Sequence, residues 1–369
     1  MKYLYVTTIS ETVNMFLIPH IKMLIEQGNT VDIACHVERS IDDELVELGC
    51  QVYDLPFSRS ITGNNYFQLN KTIRTLVEEK AYDIIHTHTP LASAITRFAV
   101  RKNPGVKIVY TAHGFHFFKG ASLQSWLIYY PIERYLTRYT DVLITINQED
   151  YQRAQNFSHC AVELLPGVGF NLKKDKDPTN KYHPYRDKFN LKEDQIALLS
   201  VGELNDNKNH LTVIQALAKF KEGNFKYFIC GDGDKKESLQ QLIEEQSLED
   251  KVVLVGYRKD IAQMMDMSDI FIFPSFREGL SVALMEAMAS GLPVICSDIR
   301  GNRDLIDESQ GGILFDPHNS ENLKDAIKEL VSDAQKRKDY GQYNRQKVQN
   351  YSLDIVLEKL ANIYKKIAF

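Results

Sequence analysis

What this 369-residue chain lacks narrows its chemistry first. The turn after its first apolar run reads Thr7-Thr8-Ile9-Ser10-Glu11-Thr12 and holds no Gly-x-Gly-x-x-Gly, so hydride transfer on a nicotinamide or flavin loses its main sequence support. No stretch of about 18 apolar residues occurs, which excludes a spanning helix. The start MKYLYVTTIS has neither the basic region nor the long apolar core of a secretory signal, so a cytoplasmic protein is expected. The cysteines, Cys35, Cys50, Cys160, Cys230 and Cys296, are odd in number, widely spaced and without a Cys-x-x-Cys pair, and they read as buried reduced thiols. An excess of positive charge is missing too. The 44 Lys and Arg stand against 49 Asp and Glu, and a net charge of -5 argues against nucleic acid as a partner, because a phosphate backbone demands a basic face.

What is present is the alternation of an α/β protein. Short apolar runs end at polar or glycine residues and are followed by stretches with three-and-four apolar spacing, such as Leu69, Ile73, Leu76 and Val77. The alternation runs to about residue 165, is interrupted by the polar, proline-bearing segment 173–194, and then restarts at Ile196. The length exceeds one ordinary core. Two domains are therefore expected, 1–168 and 169–352, followed by a closing helix over 353–369. Open parallel sheets bind ligands beyond the carboxyl ends of their strands, and the residues worth chemical attention fall there.

The densest signal is IFIFPSFREGLSVALMEAMASGLPV. A strand ends at Pro274, Glu278 stands at its mouth, Gly279-Leu280-Ser281 follow, and Glu286 lies inside the helix that opens there. Ser281 is a candidate cap, and the unpaired amides of a helix start favour a phosphate or pyrophosphate at Gly279 to Ser281. Glu286 sits among Val282, Ala283, Leu284, Met285, Ala287 and Met288, where a carboxylate needs a partner such as the hydroxyls of a ribose. In GELNDNKNH, Lys208 follows a strand and precedes a helix, placed to bond diphosphate oxygens. In CGDGD, Gly231, Asp232 and Gly233 end the next strand as a nucleotide-cradling turn requires. The same letters also admit a metal site on Asp232 and Asp234.

In the first half, TAHGFHFF carries His113 out of a strand, and a neutral imidazole there would not repel a cationic sugar centre. His86, His88, His113 and His116 also admit a zinc reading, although no cysteine accompanies them. The helical stretch FFKGASLQSWLIYYPIERYLTRY combines the only tryptophan with Lys119, Arg134 and Arg138, a mixture that suits either a membrane surface or core packing.

The block from Glu278 to Glu286 resembles the E-x7-E signature of glycosyltransferase family 4, GYRKD resembles another segment of that family, and TAHGFHFFKG, YYPIERYLTRYTDVLITIN and GELNDNKNH resemble its bacterial polysaccharide-building members. The resemblance implies the GT-B fold, with two Rossmann-like lobes facing across a cleft and the last helix returning to the first lobe. It implies a retaining, metal-independent transferase that needs no cofactor and uses a nucleotide-sugar donor, UDP being the expected nucleotide. The implied acceptor is a polyprenyl-diphosphate-linked saccharide, with the protein held peripherally at the inner face of the membrane. Glu278, Lys208 and His113 are the implied catalytic residues, with Glu286 on the ribose and the backbone around Arg258 on the base edge. Glu203 replaces an arginine of the family pattern, so the missing charge falls to Arg277 or Arg258, or to uncharged donors such as Asn205 and Asn207. A UDP-sugar 2-epimerase and an inactive sugar-nucleotide-binding subunit are the alternative readings.

Overall fold

The computed structural model describes residues 1–58, 65–171 and 184–368. The polar connector expected over 173–194 lies outside the described residues as far as 183; beyond it, Pro184–Lys188 forms a short helix. The chain divides into two compact units, Met1–Gly169 with Leu353–Phe369, and Phe170–Ser352.

The first unit is built on seven parallel strands: β1 (Lys2–Ile9), β2 (Thr30–His36), β3 (Val52–Asp54), β4 (Ile84–His88), β5 (Lys107–Ala112), β6 (Val142–Thr145) and β7 (Ala161–Leu164). Their order is β3-β2-β1-β4-β5-β6-β7. β1 is buried from Tyr3 to Ile9, the mark of a parallel strand covered on both faces. Its alternate residues serve two cores. Tyr3 and Tyr5 pack with Ile21 and Leu24 of the helix Ile18–Glu26 and with Val356 and Leu360 of the last helix, Leu353–Ala368. Leu4 and Val6 pack on the other face with Leu69 and Ile73 of the helix Tyr66–Lys80 and Ile95 of the helix Pro90–Val100.

The second unit repeats the plan with β8 (Ile196–Val201), β9 (Phe225–Cys230), β10 (Val252–Gly256), β11 (Ile270–Phe273), β12 (Val294–Ser297) and β13 (Gly312–Phe315), ordered β10-β9-β8-β11-β12-β13. Both sheets are thus the doubly wound α/β class that the alternation predicts. Strand order reverses between β1 and β4 in one sheet and between β8 and β11 in the other, so each unit has its crevice at those carboxyl ends.

One local departure has a physical cause. The aromatic helix expected from Phe117 starts only at Leu123, where the Ser122 hydroxyl accepts from the Ser125 amide, and Pro131 lies within it. The five cysteines are free, four of them buried and Cys160 half-buried. Among the described residues no helix is long and apolar enough to cross a membrane.

Candidate functional site

In the second unit the loops leaving β8 and β11 are knitted together at the reversal point. The Phe276 amide donates to the Asn207 carbonyl at 2.8 Å, and the Asn207 side-chain amide donates to the Arg277 carbonyl at 3.1 Å. Asn209, in the left-handed region at φ 55°, donates to the carbonyls of Pro274 and Pro317 at 3.1 and 3.0 Å and accepts from the Thr212 hydroxyl. This frame fixes Lys208, whose stem runs over Gly202 and whose ammonium reaches Glu278 Oε1 at 2.7 Å and the face of Phe273 at 5.0 Å. Two residues on, His210 is buried, and burial together with the Lys208 charge pushes its pKa down to about 4.

Glu278 leads into Gly279, Leu280 and Ser281, and the Ser281 hydroxyl caps the helix Val282–Ala289 by accepting from the Leu284 amide. Two glycines let main chains meet here. A Cβ at Gly231 would fall 1.8 Å from the Gly202 carbonyl oxygen, and one at Gly301, where φ is 77°, would fall 1.9 Å from that of Gly279. Beside Gly301, the buried Arg300 donates from Nε to the Glu278 carbonyl at 3.3 Å. Glu286 is half-buried on its helix, flanked by the buried Met285 and Ala287.

The structure therefore gathers Asn207, Lys208, Glu278, Gly279, Leu280 and Ser281 and adds Arg300, which the sequence reading missed. Its signal was an Arg-Gly pair just past the end of β12. Neither proposed source of extra charge is bonded to the Glu278 main chain as Arg300 is. Arg277 is exposed and is bound here through its carbonyl. The Arg258 guanidinium is engaged by both oxygens of Asp260, which also accepts from Tyr185 at 2.6 Å; these partners hold the Asp260 carboxyl down at about 2. Asp232 is exposed, accepting from the Gly233 amide at 3.1 Å and lying 3.6 Å from the Lys236 ammonium. Glu203 is exposed and bonds Asn205 at 2.9 Å.

In the first unit, His113 leaves β5 with Nε2 at 3.1 Å from Nδ1 of His88, the last residue of β4. The His88 ring lies against that of His86 at a tilt, centroids 4.2 Å apart. His86 bonds Tyr364 through Nδ1 and Thr111 through Nε2, and Tyr364 in turn meets the Tyr5 hydroxyl at 2.6 Å. Burial is the main force lowering all three imidazoles, His113 to about 4 and His86 and His88 well below the usual histidine range, so each is neutral near pH 7. His116 turns elsewhere and stacks on Tyr129 at 4.5 Å. Among the described residues, no group of three or more His, Cys, Asp or Glu is placed to hold a metal ion. Sequence reasoning weighed His88 only as a zinc ligand and missed Tyr364 altogether.

Both units of the chain are similar to known proteins. Residues 182–347 match the family described as Glycosyl transferases group 1, and residues 4–147 match that described as Glycosyl transferase 4-like. The chain is 31% identical over 372 residues to the putative glycosyltransferase EpsD of Bacillus subtilis, covering 98% of this chain and 96% of that one. It is 28% identical over 266 residues to the UDP-Gal:alpha-D-GlcNAc-diphosphoundecaprenol alpha-1,3-galactosyltransferase of Escherichia coli, covering 70% and 68% of the two chains. The crystal structure of Anabaena HepE in complex with UDP superposes with a TM-score of 0.83 at 19% identity, over 99% of this chain and 100% of that one.

Proposed function

The chain belongs to the group 1 glycosyl transferases and has their GT-B fold, and from that premise we propose that it transfers a sugar from UDP, with retention, to a polyprenyl-diphosphate-linked saccharide during cell-surface polysaccharide synthesis. The observation that carries this reading is the Lys208–Glu278 pair beside the capped helix start, at the strand-order reversal of the second sheet. A cation and a row of helix-start amides suit a diphosphate, and carboxylates at the same place suit neutral hydroxyls. UDP is supported by the UDP-bound structural neighbour and by the donor in the name of the E. coli relative, and the lipid-linked acceptor by the rest of that name.

In the proposed reaction the bond from the anomeric carbon to the diphosphate breaks and that from the acceptor oxygen forms on the same face. The acceptor proton passes to the departing phosphate oxygen, so no side chain becomes a covalent nucleophile. Lys208 and the amides of Gly279 to Ser281 take up the charge released on the diphosphate. Arg300 holds the Glu278 main chain in place. Glu278 binds the donor sugar, Glu286 binds the ribose, Gly231, Asp232 and Gly233 line the nucleotide, and the main chain at Arg258 meets the base. Neutral His113 acts at the reacting sugar without opposing its oxocarbenium character. No metal takes part in this scheme.

Work at the inner membrane surface is supported by the helix Leu123–Leu136, on which Leu123 and Leu127 are 81% and 76% exposed while Arg134 and Arg138 are exposed near its end. The test is a panel of radiolabelled UDP- and GDP-sugars with lipid-linked acceptors, with and without EDTA. Transfer from a UDP-sugar that persists in EDTA is expected. Loss of transfer in EDTA would return Asp232 and Asp234 to consideration as metal ligands. An epimerised UDP-sugar formed without acceptor would replace the transferase reading.

A further inference from the structure

The first unit holds a cavity of about 1400 Å³ that the donor chemistry does not use. We infer that it receives the hydrocarbon chain of the lipid-linked acceptor, an inference that rests on the transferase reading above. One end of the cavity is polar. Thr8 lies at the end of β1, Thr12 just beyond it and Thr89 directly after β4, so this end lies at the strand-order reversal of the first sheet. The Thr8 and Thr89 hydroxyls bond each other at 2.8 Å, and the Thr8 amide donates to Thr89 Oγ1 at 3.1 Å. Thr89 holds φ at 63°, an outlying conformation for a β-branched residue, of the kind that persists where a site demands it. It directly follows His88, the partner of His113, so the polar mouth adjoins the histidine expected at the reacting sugar.

Beyond the mouth the walls are apolar. Leu91, Ile95 and Phe98 come from the helix Pro90–Val100, and Ile128, Ile132 and Leu136 from the helix Leu123–Leu136. Among the described residues the one carboxylate on the wall, Glu133, is paired with the buried Arg97 at 2.8 Å. The space exceeds the roughly 300–1,000 Å³ of ordinary small-molecule pockets, and its shape chemistry is that of an amphiphile: hydroxyls at the reacting end, hydrocarbon beyond. The first helix is followed at once by Arg101, and the exposed Arg138 stands just past the end of the second, a cationic border suited to anionic lipid headgroups. These features favour a lipid tail over a partner protein.

The full-length protein in detergent, without sugar donor, is to be labelled with a benzophenone-bearing farnesyl diphosphate analogue and the adducts mapped by mass spectrometry. Labels are expected on peptides from 90–100 and 123–136, displaced by undecaprenyl diphosphate but not by inorganic diphosphate. Ala94→Trp, which fills the slot, and Ile132→Asp, which charges its exposed edge, are each expected to lower labelling about ten-fold, with circular dichroism unchanged. Labelling elsewhere, labelling undiminished in Ala94→Trp, or equal displacement by inorganic diphosphate would overturn the inference. So would a dimer in sedimentation that Ile132→Asp dissolves, because the apolar walls would then serve a second copy. Labelling needs no donor, so its failure alongside intact sugar transfer removes only the lipid slot, whereas absent transfer with intact labelling removes only the transferase scheme.

Discussion

The Lys208 ammonium meets Glu278 Oε1 at 2.7 Å across 70 positions of sequence, tying the loop after β8 to the loop after β11. Each side chain is partly shielded, 23% and 15% exposed, so removing one leaves the other a poorly solvated charge. Lys208→Ala and Glu278→Gln are each expected to lower sugar transfer by roughly 10²- to 10³-fold, the usual effect of losing a group that stabilises developing charge. Each should also cost about 1 kcal/mol of stability. The double variant should be no less stable than the worse single one, a coupling readable by chemical denaturation. Strictly additive stability losses would show that the two groups do not support each other.

His88 is expected to act on the reaction through His113 rather than by touching substrate. Its Nδ1 lies 3.1 Å from His113 Nε2, and the two rings have centroids 5.3 Å apart. His88→Phe keeps an aromatic ring but removes the hydrogen bond. It should lower kcat between roughly 10- and 100-fold, as a misdirected group does, with the donor KM little changed. A rise in donor KM with constant kcat would place His88 in ground-state binding instead.

Much of this was legible in the chain because it is local. Apolar runs marked the strands, and Glu278-Gly279-Leu280-Ser281 after Pro274 marked a strand end and a capped helix in consecutive residues. What was not legible depends on long-range closure. Arg300 reaches Glu278 only because β12 lies beside β11, and Tyr364 reaches His86 only because the last helix packs on the first sheet. The start of the helix at Leu123 was hidden for a different reason. Phe115 and Phe117 carry the apolar periodicity backwards into a loop, where they stack on each other at 4.7 Å in a small core of their own.

Gly301 should tolerate no side chain. Its φ of 77° is costly for any other residue, and its Cβ would fall 1.9 Å from the Gly279 carbonyl oxygen, which belongs to main chain and cannot swing aside. Gly301→Ala is therefore expected to displace the 279–281 turn, weakening UDP binding by calorimetry at least about ten-fold, while circular dichroism retains the α/β signature. Unchanged UDP affinity would mean that this turn does not hold the diphosphate.

Acid should destabilise the first unit over a window set by its buried histidines. His20 is 2% exposed, with Nε2 at 2.8 Å from the Val168 carbonyl; burial, opposed by that carbonyl, brings its pKa from 6.5 down to about 4. In the unfolded chain the ring takes a proton near 6.5, and in the folded protein only near 4. Between those values the unfolded state binds more protons, so stability rises with pH and falls as pH is lowered through the window. Above 6.5 this contribution is complete and flat. Each such histidine adds a slope of up to about 1.4 kcal/mol per pH unit, and His86 and His88, also neutralised by burial, steepen it. Thermal midpoints measured from pH 8 to pH 4 should hold steady to about 6.5 and then drop. In His20→Gln, whose side-chain amide can still donate to Val168, the drop should be shallower by about one proton's worth. An identical slope in that variant would mean that His20 already carries its proton in the folded protein.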